Sequence, residues 1–175
     1  MGYASDKKIL VVDDEPDVRN FLAACMEDSG FNVETAIDGV DALEKVKASP
    51  PDLITLDMVM PRRSGIRVMR ELKKNEQWSG IPVIVITAHA RDEFGSRYME
   101  EFSAFAARHR PKYTFEKPIT PERIVNAICE ILDVQPEEAR EQENALSTDK
   151  ADILKTIRDA DDETLKKIRS LINGK

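Results

Sequence analysis

Cysteine is scarce in this chain, and its placement excludes more than its number. Cys25 and Cys129 lie far apart, each inside a helix-like segment, and neither has a second cysteine at metal-ligand or redox-motif spacing. Buried, reduced thiols are expected. Long apolar runs are missing as well: none approaches the roughly 18 residues that cross a bilayer, and MGYASDKKILVV lacks the longer apolar core of a secretory signal. No membrane insertion is expected, and the cytoplasm is the expected compartment. Basic charge is in deficit, with a net charge of −7, which argues against a surface that binds DNA through its phosphates. Protein partners and small charged ligands fit better.

What the chain does have is 175 residues, 41% hydrophobic and 34% charged, enough for one domain of roughly 100–150 residues and an appendage. Short apolar stretches rich in β-branched or aromatic residues recur as ILVV (9–12), FNVETA (31–36), LITL (53–56), VIVI (83–86) and YTF (113–115). They predict five strands. Amphipathic stretches of helical length lie between them, such as 16–29, with Val18, Phe21, Leu22, Cys25 and Met26 on one face, and 38–48, with Val40, Leu43 and Val46. Gly30 is placed to end the first helix, Ser49-Pro50-Pro51 to stop the second, and Ser79-Gly80-Ile81-Pro82 to separate the third from the fourth strand. PERIVNAICEILDV carries Ile124, Val125, Ile128, Ile131 and Leu132 on one stripe and closes the domain near Asp133. The alternation predicts an α/β fold, a parallel sheet covered by helices on both faces.

In open parallel sheets the site lies at the carboxyl ends of strands, beside the point where strand order reverses. The residues that follow the predicted strands are Asp13-Asp14, Asp57, Thr87-Ala88 and Glu116-Lys117-Pro118. An aspartate closing the apolar run LITLD is costly unless something there uses it. Three clustered carboxylates repel one another, and some take up protons unless a cation offsets the charge. A hard divalent ion with oxygen ligands, Mg²⁺ foremost, resolves that conflict, and the lysine and hydroxyl add donors for an anion. Together they describe a phosphoryl site with a carboxylate nucleophile. Plainer roles stand beside these: Asp13 and Asp14 as caps for a helix at Pro16, Thr87 as an ordinary strand-end residue, Lys117 as a solvated lysine. Capping alone leaves Asp57 unexplained.

VVDDEP at 11–16, LDMVMPRRSG at 56–65, TA at 87–88 and KP at 117–118 keep their order after successive strands. In this the sequence resembles the receiver domains of two-component response regulators, over about residues 6–133. The resemblance implies a doubly wound five-stranded parallel sheet, in the order 2-1-3-4-5 along the chain and flanked by five helices. It implies Asp57 as phosphoacceptor, Asp14, Asp57 and the backbone carbonyl of Val59 as ligands of Mg²⁺ (or Mn²⁺), and Asp13 acting through water. Lys117 would pair with the phosphoryl group, and Thr87, followed by Ala88, would hydrogen-bond it and report its presence. Pro118 is expected to follow a cis peptide bond that aims Lys117 into the site. Pro61 and Gly65 are read as architectural, shaping the loop after Asp57 and opening the next helix.

Two departures from the family pattern stand out. Receivers usually carry an aromatic residue three positions before the lysine, where Thr114 stands here, between Tyr113 and Phe115. Strand alternation sends both neighbours to the opposite face, so Thr114 replaces the usual signalling aromatic without a simple substitute. The stretch from Thr87 to Lys117 is also longer than usual and predicts an extended fourth helix over about 92–109, with Phe94, Tyr98, Phe102 and Phe105 at helical spacing. Both changes fall on the family's usual output face and suggest a non-standard partner or a homodimer contact. His89 and His109 have no paired ligand and are read as non-catalytic, although His89, two residues after Thr87, is placed to modulate water reaching an acyl phosphate.

The expected organisation is an N-terminal tail (1–6), the receiver (7–133), an acidic linker (134–147) and a helical extension or hairpin (148–175). The extension carries seven basic and six acidic residues, too short for a usual DNA-binding output domain and better suited to docking or oligomerisation. The expected function is that of a response regulator. It takes a phosphoryl group from a histidine kinase or phosphotransfer protein on Asp57 and signals to an unidentified downstream protein through phosphorylation-dependent contacts. It is expected to be a signalling protein rather than an enzyme, beyond catalysing its own phosphorylation and dephosphorylation. Two rivals remain: a constitutive receiver-based scaffold, and an aspartate-nucleophile phosphohydrolase, which would want a second acid where Met58 and Val59 stand.

Overall fold

The apolar stretches pair side by side as parallel strands. The computed structural model describes residues 2–58, 60, 65–87, 103–104, 107, 111–137, 148, 150–152, 154–155 and 158. Its contacts divide the chain into two compact units, Met1–Glu137 and Glu138–Lys175. The first unit opens with β1 (Gly2–Tyr3) and a 3-10 turn (Ala4–Asp6), then alternates β2 (Lys8–Val12), α1 (Pro16–Asp28), β3 (Asn32–Ala36), α2 (Gly39–Ala48), β4 (Leu53–Asp57), α3 (Gly65–Lys74) and β5 (Val83–Thr87). After helical residues at Ser103, Ala104 and Ala107 come β6 (Tyr113–Glu116), α4 (Pro121–Leu132) and β7 (Val134–Gln135).

Five strands form one parallel sheet in the order β3-β2-β4-β5-β6, which is 2-1-3-4-5 once the two-residue β1 is set aside. Side-chain alternation divides each strand between two cores. Leu10, Val12, Ile54 and Leu56 pack with Ala42 and Val46 of α2 and Ile66, Met69 and Leu72 of α3. Ile9, Val11, Leu53, Ile84 and Ile86 pack with Leu22 and Met26 of α1 and Ile124 and Ile128 of α4. Burial on both faces explains why β4 and β5 carry no exposed residue.

Local chemistry sets the helix ends. Asp38 caps α2, its side chain accepting from the backbone of Val40 at 2.8 Å and Asp41 at 2.9 Å. Pro16 stands in the first turn of α1, and beyond its end Gly30 takes φ +92°, a conformation suited to glycine. Asp133 ends α4 in the left-handed region, at φ 52°.

Several expectations change. Phe21 is exposed, because the buried face of α1 is centred on Leu22, Ala23 and Met26. Cys25 and Cys129 are free but half-buried, and burial pushes both thiols above the ordinary range. The expected tail and the first linker residues are structured: β1 pairs in parallel with β7, Ala4 is fully buried and Val134 nearly so. In the second unit Thr148, Lys150, Ala151, Asp152, Leu154, Lys155 and Arg158 are helical and exposed. The expected extended helix over 92–109, apart from Ser103, Ala104 and Ala107, and the choice between one helix and a hairpin at 148–175 lie outside the described residues.

Candidate functional site

Parallel strands end at the same edge, so the residues that follow them meet there. Asp13 succeeds β2, Asp57 and Thr87 are the last residues of β4 and β5, and Lys117 succeeds β6. The register pairs Asp57 with Ile86 and Thr87 with Glu116. The Lys117 backbone N–H donates to the Thr87 carbonyl at 2.8 Å, and the Lys117–Pro118 peptide is cis, as expected. The Asp13 carbonyl accepts from the Arg19 guanidinium at 2.8 Å, which ties the loop after β2 to α1.

Neither aspartate serves as the side-chain cap of α1. Glu15 occupies that position, and its own side chain makes no capping bond. The Asp13 side chain instead accepts from the Glu15 backbone N–H at 2.9 Å, which turns the chain at the strand end.

The electrostatic centre is Lys117. Its ammonium donates to Asp57 Oδ2 at 3.0 Å and to Glu15 Oε1 at 3.1 Å, and it lies 3.0 Å from Asp13 Oδ2, an ion pair without hydrogen-bond alignment. Burial alone pulls the ammonium's pKa down, but attraction to Asp57 and then Asp13 outweighs it and leaves the group above its ordinary range. Lys117 is therefore a fixed positive charge at the floor of the site.

Asp13, Asp14 and Asp57 each bring a carboxylate oxygen within 4.8 Å of the others. Asp13 and Asp57 are buried, and Asp14 Oδ1 is buried without a hydrogen-bond partner. Desolvation, followed by repulsion from Asp13 and Glu15, raises the Asp14 pKa, while a backbone hydrogen bond and Lys117 pull the other way. Hard oxygen donors, one of them orphaned, crowded beyond what a single lysine offsets, fit a divalent cation. Gly65 walls the end of β4: a Cβ there would lie 2.6 Å from the Asp57 carbonyl oxygen and 2.8 Å from Met58 Sδ.

The structure thus brings Asp13, Asp14, Asp57, Thr87 and Lys117 to one edge. Val59, Ala88, His89 and His109 lie outside the described residues. Thr114 is exposed, while Tyr113 and Phe115 stack on the other face, ring centroids 5.7 Å apart, with the Arg123 guanidinium 5.2 Å from the Phe115 ring. Sequence reasoning gave no part to Glu15; only its position beside Asp13-Asp14 hinted at one.

Comparison with known proteins gives a consistent result. The family model described as response regulator receiver domain matches residues 9–129. The chain is 42% identical over 83 residues to the alkaline phosphatase synthesis transcriptional regulatory protein PhoP of Bacillus subtilis, covering 47% of this chain and 34% of that protein. It is 41% identical over 90 residues to the response regulator MprA of Mycobacterium ulcerans, covering 51% and 37% respectively. The chain spans about a third of the length of these regulators. Among solved structures, the receiver domain of NtrX from Brucella abortus is 31% identical with a TM-score of 0.61, covering 71% of this chain and 98% of that one. The chemotaxis protein CheY4 of Vibrio cholerae is 25% identical with a TM-score of 0.62, covering 72% and 98%. No helix among the described residues is long and apolar enough to cross a membrane.

Proposed function

The chain belongs to the response regulator receiver domain family, and on that premise we propose that Asp57 accepts a phosphoryl group from the histidine of a sensor kinase or phosphotransfer protein. The observation that carries this reading is the meeting of a buried Asp57, two further acids and one part-buried ammonium at the end of four parallel strands. A carboxylate oxygen of Asp57 attacks phosphorus, the phosphorus–nitrogen bond of the donor breaks, and the departing imidazole keeps the bonding pair and takes up a proton. An acyl phosphate on Asp57 results.

Each neighbour has a part. Lys117 offsets the negative charge on the transferring oxygens, already in place at 3.0 Å from Asp57. Asp14, Asp57 and the Val59 carbonyl would hold Mg²⁺ or Mn²⁺, with Asp13 acting through water. When bound, the cation supplies charge neutralisation at the phosphoryl oxygens. Thr87 donates its hydroxyl to the phosphoryl group and reports its presence, which biases a pre-existing inactive–active equilibrium. Thr114 cannot supply an aromatic signal there, so the change is read by a downstream protein or a second copy through the surrounding surface. Residues 148–175, beyond the acidic linker, serve as a docking or oligomerisation element. The protein is a cytoplasmic signalling component rather than an enzyme acting on an external substrate.

Incubation with acetyl phosphate and Mg²⁺ tests the reading. A base-labile, acid-stable adduct is expected on the wild type and none on Asp57→Ala. An adduct that persists in Asp57→Ala, or its absence from the wild type, refutes the assignment.

A further inference from the structure

The Lys117 ammonium is shared among three carboxylates before any phosphoryl oxygen arrives. It has three N–H donors, and three carboxylates crowd it: Asp57 at 3.0 Å, Asp13 at 3.0 Å and Glu15 at 3.1 Å. Asp57 and Glu15 accept hydrogen bonds from it and Asp13 meets it as an ion pair without that alignment, so the added charge of a phosphoryl group on Asp57 draws on an ammonium already shared and loosens its other contacts. The three are not equally easy to release. Asp57 passes its own charge to the phosphoryl group it carries, whereas the Asp13 side chain, only 1% exposed, would become an uncompensated buried charge if left unpaired. The Glu15 side chain is 59% exposed, so water takes over its charge when the ammonium turns away.

Glu15 is also set aside for this contact by the local fold. It stands at the N-cap position of α1, yet its carboxylate makes no capping bond, and its backbone N–H is held by Asp13. The carboxylate reaches across to the loop after β6 instead, joining residues 102 apart in sequence.

We infer that Glu15 is a positioning residue for the phosphoacceptor reaction, holding the Lys117 ammonium while Asp57 is unmodified and competing with an anion on Asp57 for the same donor. The inference rests on the phosphoacceptor reading above. Two consequences run in opposite directions. Removing the Glu15 charge frees a donor and lessens repulsion toward an incoming anion, so the anion binds more tightly. It also removes a negative charge from beside the three aspartates, so a divalent cation binds less tightly.

The test uses the full chain, with beryllium fluoride as phosphoryl-like anion and Mg²⁺ as cation, each followed by calorimetry. In Glu15→Gln the half-saturating beryllium fluoride concentration, at saturating Mg²⁺, should fall roughly threefold. The Mg²⁺ concentration needed in the absence of the anion should rise. Glu15→Asp keeps the charge but is one methylene short of Lys117. It should follow Glu15→Gln in the anion titration and the wild type in the Mg²⁺ titration. A general loosening of the site would weaken both ligands in Glu15→Gln, and that result, or an unchanged anion titration, overturns the inference. Wild type that binds beryllium fluoride while Glu15→Gln behaves identically removes the Glu15 role alone. Wild type that binds no beryllium fluoride and forms no adduct with acetyl phosphate removes the phosphoacceptor reading and this role together.

Discussion

At Gly65 the site is shaped by a side chain that is missing. The first residue of α3 presses against the end of β4, and a methyl group there would sit 2.6 Å from the Asp57 carbonyl oxygen. Backbone cannot yield as a flexible side chain does, so either the helix start or the strand end must move. Gly65→Ala should cost about 1–3 kcal/mol in urea unfolding. It should also slow adduct formation from acetyl phosphate, because the displaced strand end carries Asp57. An unaltered rate beside a normal unfolding midpoint would mean that the wall relaxes freely. At this scale the sequence spoke clearly wherever a polar residue closed an apolar strand: Asp13, Asp57, Thr87 and Lys117 all stand where the strand ends place them. Glu15 was illegible because sequence does not reveal which of several neighbouring acids reaches a lysine 102 residues away. Phe21 misled because it lies at the margin of the α1 stripe, where helical periodicity does not decide exposure.

At the level of elements, the strands were readable from β-branched runs, and the helices between them from apolar spacing and stop signals. The terminal pairing was not. A two-residue strand has no periodicity, and nothing in Gly2-Tyr3 or Val134-Gln135 advertises that they form a parallel ladder. Yet Val134 is buried in the same core as Ile124 and Ile128, so β7 belongs to the packed unit. Val134→Ala should lower stability by about 1–2 kcal/mol through lost methyl burial. A solvated linker residue in that position would give no measurable change in urea unfolding. On β6, alternation predicted correctly that Thr114 faces away from its aromatic neighbours. The Tyr113–Phe115 stack and the Arg123 guanidinium near it could be seen only once α4 was in place.

For the molecule as a whole, the alternation of elements implied a parallel α/β sheet, but the strand order came with the family resemblance rather than from any property of the strands. The limit of the first unit needed the structure. The Glu137 N–H donates to the Ser29 carbonyl at 3.1 Å, and the Glu137 side chain crowds Gly30, where a Cβ would lie 2.5 Å away. A chain ending at Glu137 should therefore unfold cooperatively and take up the acetyl-phosphate adduct at the full-length rate, whereas one ending at Leu132 should lose stability. Equal unfolding midpoints for the two would refute that boundary. The same pairing of ends has a topological meaning. Because the Gly2 N–H donates to the Asp133 carbonyl at 3.3 Å, the path of the backbone through this unit nearly closes on itself. The backbone of this unit can then be regarded as a loop cut at one place, and a circular permutant that joins these ends and opens a surface loop elsewhere would enclose the same core.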